Sequence, residues 1–238
     1  MIVLAIDTCE ARGGVAIRGN GVTVAALIHP VGVDYSEWLL PAVDHVLCEA
    51  GIGMKGVDLL GAATGPGSFT GVRVGLATVK AWAEIHGIGV VGVSRLEAMA
   101  RGAMGDGNFI AAFYDAQRGQ LFGALYRPEP GRWPRVGDEL VIAPKGFVQL
   151  VSKEAEESPV SWISPDPELL SGLSEWQRRA ACGDTMRSSD PQLAAVIAAI
   201  AEERAARGEL SDPLELDANY VRRSDAEIFW KGTSSGAR

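Results

Sequence analysis

The sequence predicts an α/β protein of two tandem ribonuclease-H-like domains. Three observations carry that reading. First, two stretches share one pattern, an apolar strand ending in aspartate, a glycine-containing turn and a second strand. They are Ile6-Asp7-Thr8 leading to Gly14-Val15-Ala16-Ile17, and Tyr114-Asp115-Ala116 leading to Gly119-Gln120-Leu121-Phe122. Second, the two aspartates stand 108 positions apart, nearly half of the 238 residues. Third, the first pattern runs on into a meander and then into alternating helix and strand periodicities, the order of elements in such a domain.

The elements follow in order. Residues 2–6 are an unbroken apolar run closed by Asp7, as a buried strand requires. A turn over 8–14 leads to a strand at 15–18, and Asn20-Gly21 is the dipeptide of a two-residue hairpin returning along 22–28. A helix falls within 36–50, with Leu39, Leu40, Val43, Val46 and Leu47 on one stripe; Pro41 must occupy its first turn or kink it. After a short strand at 59–64 comes Gly65-Pro66-Gly67-Ser68-Phe69-Thr70-Gly71, then a helix over 72–86 with Val72, Leu76, Val79 and Ala83 at helical spacing. Residues 89–93 form another buried strand, and Ser94 caps a helix reaching 101, with Glu97 completing a capping box.

The second half restarts with a strand at 109–114, a turn at 116–119 and a strand at 120–126. Pro128, Pro130 and Pro134 mark a long hairpin connection to a strand at 135–143. Residues 144–151 are a short helix at most, and 160–163 a strand. Asp190-Pro191 opens a helix to 207, with the stripe Leu193, Val196, Ile197, Ile200 and the stop Gly208. These readings divide the chain into 1–107 and 108–231, with 232–238 a frayed polar tail.

Composition narrows the function. Hydrophobic residues make up 47% and charged residues 22%, enough to bury a core and too apolar for disorder. A net charge of −8 excludes a protein that coats nucleic acid with a basic surface. The start, residues 1–7, reads as a strand rather than a signal peptide, and the apolar helical stretch 193–201 is too short for a bilayer. Cys9, Cys48 and Cys182 are odd in number and lack C-x-x-C spacing, which argues for neither a disulfide framework nor a zinc site and fits a cytoplasmic location. Residues 1–107 hold 19 of the 29 glycines, so tight turns and close backbone approaches concentrate there.

Candidate chemistry is sparse. In the doubled architecture, which is that of actin, the sugar kinases and the heat-shock ATPases, Asp7 and Asp115 face an interdomain cleft where they would help hold a nucleotide and its magnesium. Neither is followed by the Asp-x-Gly-x-Thr/Ser pattern of the active ATPases: the sequences are Asp7-Thr8-Cys9-Glu10 and Asp115-Ala116-Gln117-Arg118. The 65–71 loop feeding a helix N-terminus has the form of an anion site. It fits neither the dinucleotide fingerprint nor the P-loop, and a plain strand–helix turn capped by Ser68 or Thr70 serves as well. A remnant of a nucleotide cleft, made of Asp7, Thr8, Gly65, Gly67, Ser68 and Asp115, is the reading that results. His29, His45 and His86 form no His-x-x-x-His pair and read as ordinary surface or half-buried residues. No Gly-x-Ser-x-Gly stands at a strand–helix turn, so no catalytic residue is assigned. In the 72–86 helix, Val74, Ala77, Ala81 and Ile85 lie off the main stripe; two apolar faces suggest a sheet on one side and a partner on the other.

Gly65-Pro66-Gly67-Ser68-Phe69-Thr70-Gly71-Val72-Arg73-Val74-Gly75-Leu76 resembles the signature of the TsaB (YeaZ) family of tRNA threonylcarbamoyladenosine biosynthesis. Leu4-Ala5-Ile6-Asp7-Thr8, Leu39-Leu40-Pro41, Val93-Ser94-Arg95-Leu96-Glu97-Ala98, Asp115-Ala116-Gln117-Arg118 and Tyr220-Val221-Arg222 resemble further segments of the family in the right order. Tyr35-Ser36 stands where the family often has His-Ser, Gln117 where it has arginine, and Asn219 where it has proline; 126–190 carries no recognisable motif.

The resemblance implies a non-catalytic scaffold or activator subunit with no cofactor of its own. ATP and a metal belong to its partners, a TsaD-like transferase and a TsaE-like ATPase, and tRNA is met only through the complex. It implies pairing through the two helices of the first domain, with Leu39, Leu40, Val43, Val46, Leu47, Val72, Arg73, Val74, Leu76, Ala77, Val79 and Lys80 as contact residues. A homodimer through the same face is the expectation for the chain alone, and no membrane is involved. The rival reading from the paired aspartates and the glycine loop is a small-molecule kinase or ATPase of the same superfold. A peptidase has been associated with the wider family, but no nucleophile or metal set here supports one.

Overall fold

Two five-stranded sheets of identical topology form the framework. The computed structural model describes residues 1–102, 108–190 and 192–221. The first sheet contains β1 (Ile2–Asp7), β2 (Gly14–Gly19), β3 (Val22–Ile28), β4 (Leu59–Ala63) and β5 (Gly89–Val93), in the order β3-β2-β1-β4-β5. β1, β2 and β3 are antiparallel, whereas β4 and β5 run parallel to β1. The second contains β6 (Phe109–Asp115), β7 (Leu121–Tyr126), β8 (Arg135–Ile142), β9 (Val160–Ser164) and β10 (Thr185–Ser188), in the order β10-β9-β6-β7-β8. Read from the other edge this is the same pattern, so β6 stands where β1 does and Asp115 where Asp7 does. Asn20 and Gly21, at φ 51° and 79°, make the expected tight hairpin.

Helices form the remaining layers. α1 (Tyr35–Glu49) and α2 (Phe69–His86) cover one face of the first sheet. α3 (Arg95–Gly102) and α7 (Leu193–Ala206) lie between the sheets, α7 against β1, β2, β4 and β5, and α3 against β6, β7 and β9. α4 (Pro144–Ala155) covers the outer face of the second sheet, with α5 (Glu168–Ser171) and α6 (Ser174–Ala181) beside it. There Phe113, Phe147, Trp162 and Trp176 build an aromatic core of tilted and edge-on contacts.

The helices therefore do not respect a cut at 107/108. α7 comes from the second half yet packs on the first sheet, and α3 comes from the first half yet packs on the second. α7 is apolar on nearly all sides because it is covered on nearly all sides; Leu193, Ile197, Ala198, Ile200 and Ala201 are buried. Gly61 faces it, and a Cβ there would stand 3.2 Å from the Ala201 Cβ.

Several boundaries differ from expectation. α2 starts at Phe69 rather than 72, because Ser68 accepts from the Gly71 amide at 3.4 Å as its cap; Gly87, at φ 66°, ends it. α4 runs twelve residues, well past 151, with Phe147, Val148, Val151 and Ala155 buried. Pro41 is the seventh residue of α1, beyond the first turn, on the exposed side. α5, α6 and β10 are too short to show a period. The capping box at α3 is half made: Ser94 Oγ accepts from the Glu97 amide at 3.3 Å, but Glu97 turns to Arg204 at 2.6 Å. Pro191, residues 222–231, the boundary at 107 and the tail 232–238 lie outside the described residues.

Candidate functional site: the interdomain cleft and the outer helix face

The cleft begins at the end of β1. Asp7 is buried, accepting from the Cys9 amide at 3.0 Å on Oδ1 and from Arg95 Nε at 3.2 Å on Oδ2. Arg95 is the first residue of α3; its side chain is 4% exposed and its guanidinium lies 4.8 Å from the Tyr114 ring centre on β6. Burial works against the Arg95 charge, but Asp7, then Tyr114 and Glu10, more than offset it and hold its pKa above the ordinary arginine value. The arginine thus occupies, for Asp7, the place of a cation.

The turn after β1 is pinned from two sides. Tyr35, at the start of α1, receives the Gly13 amide at 2.9 Å and donates to the Glu10 carbonyl at 2.5 Å. His29 pairs through Nδ1 with the Ala11 carbonyl at 2.8 Å and stacks on Tyr35 with ring centres 3.9 Å apart. His29 is 4% exposed, so it is a buried residue that orders this turn and not the surface or half-buried histidine expected from the sequence.

The 65–71 loop packs on the same turn. The Ser68 amide donates to the Cys9 carbonyl at 2.8 Å, and Thr8 Oγ1 donates to the Gly71 carbonyl at 2.6 Å. A Cβ on Gly71 would come within 2.1 Å of the Thr8 carbonyl oxygen, and one on Gly75 within 2.4 Å of Thr8 Oγ1. These glycines let α2 lie against Thr8 and Cys9. At the start of α2 the Ser68 and Gly71 amides are thereby satisfied by protein, through Cys9 and Ser68.

What remains is a cleft of about 420 Å³ between the two turns. Gly67, Ser68, Phe69 and Glu10 line one side, and residues 115–118 with Phe122 the other. Of the expected cleft residues, Gly67, Ser68 and Asp115 are on its wall, Asp7 and Thr8 are buried beneath the loop, and Gly65 is not on the wall. Asp115 binds the Gln117 amide at 2.7 Å and its side chain at 2.8 Å, while its own amide donates to Asp166 at 2.9 Å. Burial pushes the Glu10 carboxyl up to about 7; Arg95 opposes this, and Asp7, Asp166 and Asp115 add to it. Among the described residues no group of three or more His, Cys, Asp or Glu side chains is placed to hold a metal ion.

The helix residues divide sharply. Leu39, Val43, Val46, Leu47, Val72, Leu76 and Val79 are at most 5% exposed and pack inside the chain's own core, so the main stripes are not available to a partner. Leu40 is 54% exposed and Ile85 72%; Arg73, Ala77 and Ala81 are also exposed, with Val74, Lys80 and Trp82 half-buried. A shallow groove between the two helices is lined by Leu40, Asp44, Cys48, Trp82 and His86. Arg73 and Lys80 already touch this chain: Arg73 Nε donates to the Tyr220 hydroxyl at 2.8 Å and Lys80 Nζ to the Leu214 carbonyl at 3.4 Å. Among the described residues no helix is long and apolar enough to cross a membrane.

Sequence reasoning missed Arg95, Tyr35, Glu10 and Asp166. Only Arg95 left a signal, a charge beside an apolar strand in a stretch otherwise destined for the core, which must find a partner.

Comparison with known proteins places this architecture. The family model for TsaD, tRNA N6-adenosine threonylcarbamoyltransferase, matches residues 31–173, more than half of the chain. The TsaB protein of Escherichia coli (strain K12) is 31% identical over 167 residues, 69% of this chain and 70% of that protein. The chain belongs to the TsaB (YeaZ) family, within the wider TsaD family. The TsaB protein of Bacillus subtilis is 26% identical over 232 residues, 97% of this chain and 98% of its own length, so the family match also spans 126–190. YeaZ from Pseudomonas aeruginosa has the same fold, with a TM-score of 0.74 at 24% identity over 92% of this chain and 99% of that one. The ROK hexokinase of Thermus thermophilus shares the superfold at a TM-score of 0.51 and 13% identity, covering 85% and 98%. Family membership and the two sheets thus agree on the actin and sugar-kinase superfold.

Proposed function

We propose that this chain is the non-catalytic scaffold and activator subunit of the cytoplasmic assembly that forms threonylcarbamoyladenosine next to the anticodon of tRNA. Its relatives of the TsaB family carry the name of that biosynthesis. One observation carries the non-catalytic reading: Asp7, the residue an ATPase of this superfold would turn toward a nucleotide's magnesium, is buried and paired with Arg95. A TsaD-like subunit and a TsaE-like ATPase supply the ATP and metal chemistry, and they make the grip on tRNA that a chain of net charge −8 is poorly suited to make.

The docking surface is the outer face of α1 and α2, centred on Leu40, Ala77, Ala81 and Ile85 and flanked by Arg73. Exposed aliphatic side chains gathered on one helix pair support that assignment. A second copy of the chain would use the same face when the partner is absent. The test is size-exclusion chromatography with a TsaD homologue: the wild-type chain co-elutes, and Ala77→Glu and Ile85→Asp elute alone while keeping their circular dichroism. Co-elution of both variants would overturn the surface. ATP turnover by the purified chain, abolished by Asp7→Asn, would instead establish the kinase or ATPase reading.

A further inference from the structure

The chain after α7 does not end beside it. Residues 210–221 run back across the first domain as an irregular strap with four attachments, one of them the Lys80 Nζ bond to the Leu214 carbonyl already described. At one end the Ser211 amide donates to the Val90 carbonyl at 2.8 Å, and Ser211 Oγ accepts from the Gly92 amide at 3.1 Å, so the strap caps the open edge of β5. In the middle the Asn219 amide donates to the Thr64 carbonyl at 2.7 Å, and its side-chain amide donates to Glu139 on β8. Glu139 is a buried carboxylate that also takes the Ser94 hydroxyl at 2.5 Å and Arg135 at 3.3 Å. Asn219 therefore joins the first sheet to the second. At the far end the Tyr220 ring lies 5.2 Å from that of Phe69, its hydroxyl accepts from Arg73, and the Arg73 guanidinium sits 3.6 Å over Phe69.

Phe69, Tyr220 and Val221 line the cleft, so the last attachment forms its rim. The strap itself is weakly anchored by apolar burial. Leu210, Leu214 and Tyr220 are 56%, 82% and 42% exposed, and Leu216, at 8%, is its one large aliphatic side chain in the core among the described residues. A segment held by a few polar contacts, one buried side chain and the partly buried Ala218 and Val221 opens at lower cost than the sheets beneath it.

We propose that residues 210–221 are a latched strap that closes the interdomain cleft, with Asn219 as the latch and the Arg73–Tyr220 contact as the catch. Breaking either frees Tyr220 from Phe69 and uncovers the rim. Arg73 is exposed on α2, so an acidic group that captures its guanidinium is the natural trigger; that trigger rests on the docking surface proposed above.

The test uses the chain alone, so its outcome is separate from that of docking. In a Cys48→Ser, Cys182→Ser background, Ala116→Cys puts a thiol on the covered wall of the cleft, since Ala116 is 3% exposed. Its reaction with a soluble disulfide reagent should be slow and should accelerate several-fold with Asn219→Ala or Arg73→Ala. Hydrogen exchange on the chain without the thiol is the second measurement. The amides of Ser211 and Asn219 are protected by Val90 and Thr64, and Asn219 should exchange several-fold faster in both variants. Unchanged labelling together with unchanged exchange at 219 would overturn the strap; faster exchange with unchanged labelling would overturn its role as a cover.

Discussion

Arg95 donates from Nε to Oδ2 of Asp7 across 3.2 Å, and the two side chains are 4% and 0% exposed. The pair joins the end of β1 to the start of α3, 88 positions away. Removing one partner strands a buried charge. Arg95→Leu should therefore cost about 3–5 kcal/mol in urea unfolding, with the Asp7→Leu/Arg95→Leu double variant less damaged than the single one. A double variant as unstable as Arg95→Leu, or more so, would contradict this account.

Gly71 and Gly75 are helical positions where alanine ordinarily stabilises. Here the added methyl would meet Thr8 at 2.1 and 2.4 Å. Gly71→Ala and Gly75→Ala should each lose ~1–3 kcal/mol by thermal or urea unfolding, against the helix-propensity trend. Thr8→Ser leaves the backbone carbonyl that a Gly71 methyl would meet and should not rescue Gly71→Ala.

Glu10 gives stability an unusual dependence on pH. In the fold its carboxyl holds a proton to about pH 7, against an ordinary value of 4.5. The folded state binds the extra proton between those values, so the contribution is complete below pH 4.5 and is lost as pH rises through 7. Glu10→Gln should match the wild type in acid and exceed it by roughly 1–3 kcal/mol near pH 8, read from denaturation midpoints across the range. Parallel pH profiles for the two proteins would exclude the effect.

Asp184 anchors the far edge of the second sheet. It accepts from Trp162 Nε1 at 2.7 Å, from the Val160 amide at 3.0 Å and from Arg179 at 2.8 and 2.9 Å. Asp184→Ala leaves a buried indole N–H without its acceptor and the Arg179 guanidinium with only the Glu156 and Ser158 carbonyls in place of a carboxylate, and should cost about 3–5 kcal/mol. Because α3 and α7 are a layer common to both sheets, the loss should appear as one transition, with tryptophan fluorescence and far-ultraviolet dichroism shifting together. Two separated transitions would show that the sheets unfold independently.

Most strands, the long helices and the duplication were legible in the sequence, but not α5, α6 and β10. The apolar run ending in Asp7, the Asn20-Gly21 hairpin, the Ser94 cap and the return of the pattern at Asp115 are all short-range signals, written within a turn or two of the residues they organise. Tertiary structure alone decided which sheet α7 covers, because an almost uniformly apolar helix fits any apolar face. It also decided that the stripes of α1 and α2 are spent on the chain's own core, and that Gly71 and Gly75 make room for Thr8. The pairing of Asp7 with Arg95 belongs to the same class. Burial sets the cost of a charge, and burial exists only once distant strands and helices have closed over it.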